Sequence, residues 1–327
     1  MTDSSSALIV RLDALGDTLA LAPLLLALRE ATVPIDLVLS PTARDLFAPV
    51  AYRHAYIAPF GQRDESAANR AAIAAFADDL RQKHYSHVLV ATEDPAGYRL
   101  AAALRAPHRI GFQNGWGKPL KTLWVRSLLT QAIYRSAGLD SRAPHESEVL
   151  FSLGASLLAP GARPARDPQR LRPLILARET APPQGIALQL TSKWERLGMT
   201  VAQVRSFIDR ANERFGTIRL FAPLAERAQI STLAEGLDGI EWFAELQPWI
   251  AAIAESEILV APDSGAIHVA GMLGTPCIAV FQDSPDFELQ RVRWRPWAAP
   301  SSLVRGDGSW DSAAADALIQ LDASDAS

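Results

Sequence analysis

Three short polar segments of this chain carry the side chains best suited to chemistry. The first is Arg11-Leu-Asp13-Ala-Leu-Gly16-Asp17, where an apolar run ends, a glycine allows a tight turn and a helix is predicted to begin. Asp17 would lie at that helix N-terminus, where the helix dipole favours the ionised carboxylate by ~0.3–1 kcal/mol. Such a carboxylate beside a cleft can act as a general base. The alternative is that Asp17 serves only as an N-cap.

The second segment is Pro262-Asp263-Ser264-Gly265-Ala266-Ile267-His268, which also joins an apolar run to a predicted helix. Backbone N–H groups at a helix start bind anions, and Gly265 would let a phosphate approach the backbone closely. His268 follows Ser264 by about one turn, so the two side chains share a face. The alternative is an aspartate N-cap with a packed histidine.

The third segment is Thr191-Ser192-Lys193, which follows the first predicted strand of the second half. Two hydroxyls and an ammonium at a strand end suit phosphate oxygens, although a solvated loop explains the same residues. Trp194 is a candidate to pack near a base or ribose. Glu226, after the next strand, could hold a ribose diol or could lie on a helix surface.

Each of these segments lies just after a predicted strand, in a chain where strands and helices alternate. Predicted strands cover 7–12, 35–39, 56–57, 87–91, 185–190, 218–222, 240–243, 258–261 and 277–281. Predicted helices cover about 18–31, 67–83, 120–136, 145–153, 201–215, 224–236, 246–256, 266–273 and 309–321. Alternation of this kind predicts parallel βαβ units, in which ligands bind outside the carboxyl ends of the strands.

Composition excludes several classes of protein. The chain has 327 residues, of which 49% are hydrophobic and 21% charged, so we expect two globular domains. The single cysteine, Cys277, excludes a disulfide framework and a thiolate zinc cluster. We find no HExxH pattern and no D-x-D pair beside a strand, and therefore predict no metal site.

Charge is spread unevenly along the chain. The net charge of −4 excludes a generally basic nucleic-acid binder. Residues 95–145 nevertheless hold eight Arg or Lys against one acid, Asp140, a net of +7 that leaves −11 for the remainder. We call these cations the basic block: Arg99, Arg105, Arg109, Lys118, Lys121, Arg126, Arg135 and Arg142. The block favours an anionic partner, and the alternative is a solvated helix face.

The N-terminus has no cationic region before an apolar run, so we expect no signal peptide. No window holds 18 apolar residues without a charge, so we expect no transmembrane helix. The expected compartment is therefore the cytoplasm. The basic block leaves peripheral contact with the cytoplasmic face of the inner membrane open.

The chain resembles glycosyltransferase family 9, the lipopolysaccharide heptosyltransferases, in segments that follow the family order. They are ALIVRLDALGDTLALAPLLLALREA at the start, RIGF at 109–112, HESEVLFSLGA at 145–155, LTSKW at 190–194, PLAERAQ at 223–229 and APDSGAIHVAGMLGTPCIAVFQ at 261–282. The resemblance implies an α/β chain with the GT-B fold, two Rossmann-like domains whose parallel sheets face a central cleft. It implies an acceptor-binding domain at 1–160, a linker at 161–173, a nucleotide-sugar-binding domain at 174–308 and a terminal helix at 309–327 that packs back on the first domain.

The resemblance also implies a reaction, the inverting and metal-independent transfer of heptose from ADP-heptose to an inner-core lipopolysaccharide acceptor. No cofactor and no nucleic-acid partner are expected. Asp17 matches the family's catalytic base. The residues that match the donor site are Thr191, Ser192, Lys193, Glu226, Asp263, Ser264, Gly265 and His268. Acceptor binding is assigned to Asp13, Arg105, Lys118 and Lys121.

Two positions depart from the family pattern. Lys193 follows Ser192 directly, where the family has several intervening residues, and Asp13 replaces a small serine. Asp13 could tune the base, bind the acceptor or face Arg11. Two other hypotheses therefore stay open: a related transferase with another donor or a non-lipopolysaccharide acceptor, and a nucleotide-sugar-binding protein with little transfer.

Overall fold

The chain forms two units, Met1–Ala165 and Arg166–Ser327, each with its own sheet and hydrophobic core. The computed structural model describes residues 5–136 and 144–325. The division at 165/166 falls inside the predicted linker at 161–173. The second part of that linker is helical and its Leu171 is buried, as is Leu174 directly after it, so these residues belong to the second unit.

The first unit alternates strands and helices from its first residues. Its elements are β1 (Ala7–Arg11), α1 (Leu15–Leu19), α2 (Ala22–Glu30), β2 (Ile35–Leu39), β3 (His54–Ile57), α3 (Ala67–Arg81), β4 (His87–Val90), α4 (Pro95–Leu104), β5 (His108–Gln113), α5 (Pro119–Leu128), β6 (Gln131–Tyr134) and α6 (Glu146–Phe151). All described strand pairs in this unit are parallel, in the order β3-β2-β1-β4-β5-β6.

The apolar run at the start of the chain forms the middle of this sheet. Every residue of β1 is buried, because the strand pairs with β2 on one side and with β4 on the other. The strand order reverses at this point, and a crevice opens at the carboxyl ends of β1 and β4. The segments that follow these two strands, 12–17 and 91–94, therefore lie at one edge of the sheet.

The second unit repeats this plan. Its elements are α7 (Pro168–Leu171), β7 (Ile186–Gln189), α8 (Lys193–Arg196), α9 (Val201–Phe215), β8 (Arg219–Pro223), α10 (Ser231–Ala234), β9 (Ile240–Phe243), α11 (Leu246–Ala254), β10 (Ile258–Pro262), α12 (Gly265–Leu273), β11 (Cys277–Gln282), α13 (Phe287–Trp294), β12 (Ser301–Gly306) and α14 (Trp310–Asp325). The parallel order β12-β11-β10-β7-β8-β9 is the order of the first sheet, with β7 and β10 at the reversal.

Three strands and four helices of the described chain were not predicted: β5, β6 and β12, and α4, α7, α8 and α13. The predicted helix at 120–136 is α5 followed by β6, a partly exposed edge strand. β5 and the other edge strand, β12, were not predicted either, because polar residues interrupt their apolar pattern. α4 begins with Asp94 as N-cap and Pro95 at its first position, a helix-start signal that sequence analysis could have used.

The terminal helix α14 completes the core of the second unit. Trp310 is fully buried and stacks on Trp194, with ring centroids 4.7 Å apart, and on Phe207 at 5.9 Å. Ser206 on α9 donates a hydrogen bond to Asp311 (2.8 Å). These contacts lie within the second unit, where one face of α14 belongs to the core, and packing of this helix on the first domain stays a prediction.

None of the described helices is both long enough and apolar enough to cross a bilayer. Cys277 is a buried free thiol at the start of β11, and burial raises its pKa.

We predict that Trp310→Ala lowers the free energy of unfolding of the second unit by about 3–5 kcal/mol, because a large buried ring is replaced by a cavity. The measurement is urea denaturation followed by far-UV circular dichroism. Trp116→Ala is the matched control, since Trp116 is 95% exposed, and it should change stability by less than about 0.5 kcal/mol. Equal effects of the two substitutions would contradict the packing described for Trp310.

Candidate functional site

Asp13 and Asp17 lie at the carboxyl edge of the first sheet, as the sequence predicts. Asp13 comes two residues after β1, and Asp17 lies in the first turn of α1. Both residues are partly exposed. The backbone carbonyl of Asp13 accepts hydrogen bonds from the hydroxyls of Ser40 (3.1 Å) and Thr18 (3.2 Å), so the turn that carries the two carboxylates is anchored to the unit.

Arg11, the last residue of β1, holds this turn in place through its side chain. Its side chain is only 2% exposed. Nη2 donates to the carbonyl oxygen of Asp17 (2.7 Å), and Nη1 donates to the carbonyl of Ala91, just past β4. Nη1 also lies 3.3 Å from the Asp13 carboxylate. One buried guanidinium therefore connects the two strands at the sheet reversal and neutralises the carboxylate that departs from the family pattern.

The charges continue beyond Arg11 in alternating sign. Glu146, which is fully buried at the start of α6, lies 3.9 Å from Arg11 Nη2 and 2.9 Å from Arg135 Nη2. Arg135 lies 3.9 Å from Glu93, which also accepts from Lys121 (3.3 Å). The series of six charges runs Asp13, Arg11, Glu146, Arg135, Glu93 and Lys121. Removing an inner member of this series would take one of two counter-charges from each inner neighbour.

The environment of Glu93 favours its ionised form. Burial raises the pKa of this carboxyl, but the Arg135 charge, the Asn114 amide hydrogen bond and Lys121 together hold the pKa below its ordinary value. Asn114 donates to Glu93 (2.9 Å) and to the Arg135 carbonyl (3.2 Å). Glu93 therefore remains a negative charge at this edge at neutral pH.

Sequence reasoning did not single out Glu93, Asn114 or Glu146. Glu93 follows β4 as Asp13 follows β1, and this shared position at the strand reversal was the available signal. Glu146 stands in the segment that resembles the family, but its complete burial is not visible from the sequence.

The basic block divides between the two edges of the sheet. Lys121 and Arg135 belong to the charge series, and Lys118 directly precedes α5, shortly after the carboxyl end of β5. Arg99 pairs with Glu65 and stacks over Trp124 at 5.4 Å. Arg142 lies outside the described residues.

Arg105 lies at the end of α4, away from the strand ends that carry Asp17, and its assignment to acceptor binding stays a prediction. It ends α4 in a left-handed conformation (φ 56°). α4 starts after the carboxyl end of β4 and leads back to the start of β5, so its end lies at the amino edge of the sheet. Arg109 lies near this edge too, where it donates to the carbonyls of Ala106 and Leu128.

The second unit places the predicted donor residues at its own carboxyl edge. Thr191 and Ser192 follow β7, and Glu226 follows β8. One carboxylate oxygen of Glu226 accepts from the Thr191 hydroxyl (2.9 Å) and from the Ser192 amide (2.7 Å). Glu226 thus holds the hydroxyl-bearing loop in place, and its predicted contact with a ribose stays a prediction.

Lys193 connects this loop to the segment after β10. Its ammonium donates to the backbone carbonyl of Asp263 (2.9 Å). Burial raises the pKa of the Asp263 carboxyl, and the nearby Lys193 charge opposes that rise. The structure therefore brings Lys193 and Asp263 together, as expected from two strands that are neighbours in the sheet.

Ser264, Gly265 and His268 occupy the start of α12. Ser264 is the N-cap residue, and its buried hydroxyl has no hydrogen-bond partner among the described residues. Gly265 is the first residue of the helix. His268 packs edge-on against Trp294 with centroids 5.9 Å apart, so the expectation of a packed histidine describes part of its environment.

Trp194 does not serve the role suggested for it. The ring is fully buried between β7 and α14, and its indole N–H donates to the Gln189 carbonyl (2.9 Å). It is a core residue, and a base or ribose cannot stack on it. In the described part of the chain, no group of three or more His, Cys, Asp or Glu is placed to hold a metal ion.

Comparison with known proteins agrees with this architecture. Residues 205–316, within the second unit, match the model of glycosyltransferase family 9 (heptosyltransferase). No curated protein matches the chain.

Solved structures are similar over nearly the whole length. The E. coli ADP-heptose LPS heptosyltransferase II aligns with a TM-score of 0.72 at 15% identity, covering 98% of this chain and 100% of that chain. The E. coli heptosyltransferase WaaC with ADP-2-deoxy-2-fluoro heptose gives 0.69 at 20% identity, with 98% and 99% covered. A glycosyl transferase family 9 structure from Veillonella parvula gives 0.71 at 15% identity, with 93% and 86% covered.

The predicted resemblance to glycosyltransferase family 9 and the predicted class of fold, two Rossmann-like units with parallel sheets, are confirmed. The family match and the shared fold support a glycosyltransferase. The roles of individual residues stay predictions, because these similarities concern the family and the fold.

We predict that Glu93→Gln destabilises the protein at neutral pH and that this deficit shrinks in acid. The pKa of Glu93 is lower when folded than when unfolded, so its contribution is complete above the ordinary pKa and is lost as pH falls through the folded value. Urea denaturation at a series of pH values measures the difference between the two proteins. Glu213→Gln, on an exposed position of α9, controls for the loss of one negative charge; a deficit for Glu93→Gln that is constant with pH would contradict the prediction.

Proposed function

We propose that this chain transfers a heptose from ADP-heptose to an anionic inner-core lipopolysaccharide acceptor, with inversion and without a metal ion or other cofactor. The observation that carries the proposal is the repeated sheet reversal. At this point the first unit presents carboxylates, Asp13 and Asp17, and the second presents groups suited to a diphosphate. Of the similar structures, one is the E. coli ADP-heptose LPS heptosyltransferase II and another is the E. coli heptosyltransferase WaaC with ADP-2-deoxy-2-fluoro heptose.

In the proposed reaction Asp17 accepts the proton of an acceptor hydroxyl. The hydroxyl oxygen forms a bond to C1 of the donor sugar while the bond from C1 to the diphosphate oxygen breaks, and ADP leaves with the electron pair. This single displacement inverts the configuration at C1. Arg11 contributes indirectly, because its bond to the Asp17 carbonyl fixes the turn that carries the base.

The negative charge that develops on the departing diphosphate needs donors in the second unit. Lys193 supplies the positive charge, and the backbone amides at the start of α12 supply neutral donors. Stabilisation of developing charge by fixed donors is often the largest single contribution to catalysis, about 2.7–4 kcal/mol for one donor. Ser264 fits such a role because its buried hydroxyl has no partner among the described residues.

The acceptor assignment rests on the cations at the carboxyl edge of the first sheet. Lys118 and Lys121 are near this edge, whereas Arg105 is at the opposite one. The proposal of an anionic acceptor is therefore supported by Lys118 and Lys121, and not by Arg105. We place the reaction in the cytoplasm, at the inner face of the membrane that holds a lipid-linked acceptor.

A second function is favoured by a specific observation. Glu226 engages the Thr191 hydroxyl and the Ser192 amide, and the Asp263 carbonyl engages Lys193. Because these hydrogen-bond donors are already used within the protein, they would bind a nucleotide sugar weakly. The second candidate is therefore a nucleotide-sugar-binding protein with little transfer activity. The third candidate is a related transferase with a different donor or acceptor. A thermal-shift screen of nucleotide sugars identifies the donor, because the nucleotide sugar that binds most tightly raises the unfolding temperature most.

We predict that Asp17→Asn lowers the rate of heptose transfer at least about a hundredfold, because general-base catalysis contributes roughly a hundredfold or more. Affinity for ADP should remain within a factor of about two, since Asp17 is in the first unit. The assay follows transfer from ADP-heptose to a deacylated, water-soluble inner-core acceptor, and calorimetry measures ADP binding. Asp45→Asn, at an exposed position of the same unit, is the control; wild-type turnover in Asp17→Asn would refute the assigned role.

We predict that Lys193→Met weakens ADP binding by roughly tenfold or more, because a charge-assisted contact to phosphate contributes about 1.5–3 kcal/mol. Calorimetry with ADP and with adenosine separates a lost phosphate contact from a general disruption of the unit. Adenosine carries no phosphate, so it should bind the variant and the wild type alike. Lys83→Met, an exposed lysine of the first unit, is the control. Equal loss of affinity for both ligands would show that the substitution disrupts the unit instead.

A further inference from the structure

The first unit exposes an unusual amount of apolar surface at one place. Trp116 is 95% exposed, Leu120 is 83% exposed and Leu123 is 69% exposed. Tyr134, at the end of β6, is also largely exposed and lies against Gly115, next to Trp116. Large exposed apolar patches on a soluble unit mark interaction sites, and the proposed transfer reaction does not use these side chains.

The apolar residues share this surface with cations. Leu120, Leu123 and Arg126 follow one another at three-residue spacing on α5, so they form one stripe along the outer side of the helix. Thr122 and Val125 form its buried side. We call the outer surface the apolar–basic face and define it by Trp116, Lys118, Leu120, Leu123, Arg126 and Tyr134.

The charge of this face is positive only. The sequence between Asp94 and Asp140 contains no Asp or Glu. The neighbouring acids from other segments are matched by cations: Glu93 lies against Lys121, and Glu65 against Arg99. The exposed cations Lys118 and Arg126 add a net positive charge to the apolar stripe.

The face is built on a fixed support. The Thr122 hydroxyl donates to the Gly115 carbonyl (3.0 Å), which ties α5 to the turn that carries Trp116. The Gly115 amide donates to the Gln113 side chain (2.8 Å), and Asn114 is bound to Glu93 and to the Arg135 carbonyl. The turn that carries Trp116 is therefore anchored, and the Trp116 side chain is already exposed.

We propose that the apolar–basic face docks the protein on an anionic lipid bilayer. Tryptophan and leucine insert at the boundary between headgroups and acyl chains, while lysine and arginine contact anionic headgroups. A helix with leucines on its outer side, bordered by cations and preceded by an exposed tryptophan, presents this combination. The face begins at the carboxyl edge of the first sheet, where Trp116 and Lys118 follow β5 and Tyr134 ends β6, so docking would hold that edge near the membrane.

The inference rests on the proposed function for its purpose, since a lipid-linked acceptor must be met at a bilayer. Its test does not depend on that function, because binding to vesicles requires neither donor nor acceptor. The experiment is cosedimentation of the full chain with vesicles of phosphatidylcholine and phosphatidylglycerol in equal parts, compared with phosphatidylcholine alone.

The wild-type chain should bind the anionic vesicles and bind the neutral ones at least about fivefold more weakly, because each cation near an anionic surface contributes about fivefold to binding. The triple variant Trp116→Ser, Leu120→Ser, Leu123→Ser should bind at least roughly tenfold more weakly, since it removes the inserted apolar area. The matched control is Val50→Ser, Val292→Ser, Ile319→Ser, which alters exposed apolar residues elsewhere and should bind as the wild type does.

The charge requirement has its own pair of variants. Lys118→Gln with Arg126→Gln should weaken binding to anionic vesicles by roughly fivefold per charge. The control is Arg29→Gln with Lys83→Gln, which should leave binding unchanged. Both cations are exposed: Arg29 lies in the last turn of α2, and Lys83 lies two residues after α3. Added salt should weaken binding of the wild type, because screening shortens the range of surface charge to about 10 Å at 0.1 M.

Three results would overturn the proposal. They are equal, weak binding of the wild type to both kinds of vesicle, full binding by the triple apolar variant, and a concentration-dependent dimer in gel filtration that this variant abolishes. The last result would assign the face to a second copy of the chain. Vesicle binding without transfer to the deacylated acceptor would refute the proposed function and leave this inference standing, and transfer without vesicle binding would do the reverse.

Discussion

A buried arginine at the end of a buried strand is the constraint on which the first carboxyl edge depends. Arg11 lies where the strand order reverses, and no water reaches most of its side chain. A charge in this position needs protein partners, and these are the carbonyls of Ala91 and Asp17 together with the acids Asp13 and Glu146. Each partner that satisfies the guanidinium is thereby fixed in space. The requirement to neutralise one charge thus positions the turn with the proposed base.

The second unit solves the same positioning problem with hydrogen bonds to a single carboxylate. Its sheet has the same strand order, so the loops after β7 and β10 must meet at one edge. Glu226 holds the loop after β7, and Lys193 joins that loop to the one after β10. The repeated order explains why three short segments, far apart in sequence, form two sites. The charges of the segments are the reason why we propose proton transfer at one site and phosphate binding at the other.

The central strands and the sheet edges that carry the candidate residues could be predicted from the sequence, because buried parallel strands are continuous apolar runs that end in polar residues. The edge strands β6 and β12 could not, since they are partly exposed and carry mixed residues. The pairing of Arg11 with Glu146 and the core position of Trp194 could not be predicted, because both depend on contacts between distant segments. Arg105 shows the same limit: its charge was visible in the sequence, but the edge it occupies depends on α4, which was not predicted.

The contacts within the second site indicate which donors a diphosphate would recruit. Lys193 donates to a neutral carbonyl, and exchanging that acceptor for a phosphate oxygen replaces an ordinary hydrogen bond with a charge-assisted one. Thr191 and Ser192 already donate to an anionic carboxylate, so a phosphate would offer them no stronger acceptor and would bring a second negative charge close to Glu226. We therefore expect the lysine to turn toward the ligand while Glu226 keeps the loop. Ser192 and Lys193 are adjacent, which departs from the family pattern. The loop is therefore anchored to Glu226 at Ser192, while the next side chain, Lys193, can exchange its acceptor for a phosphate oxygen.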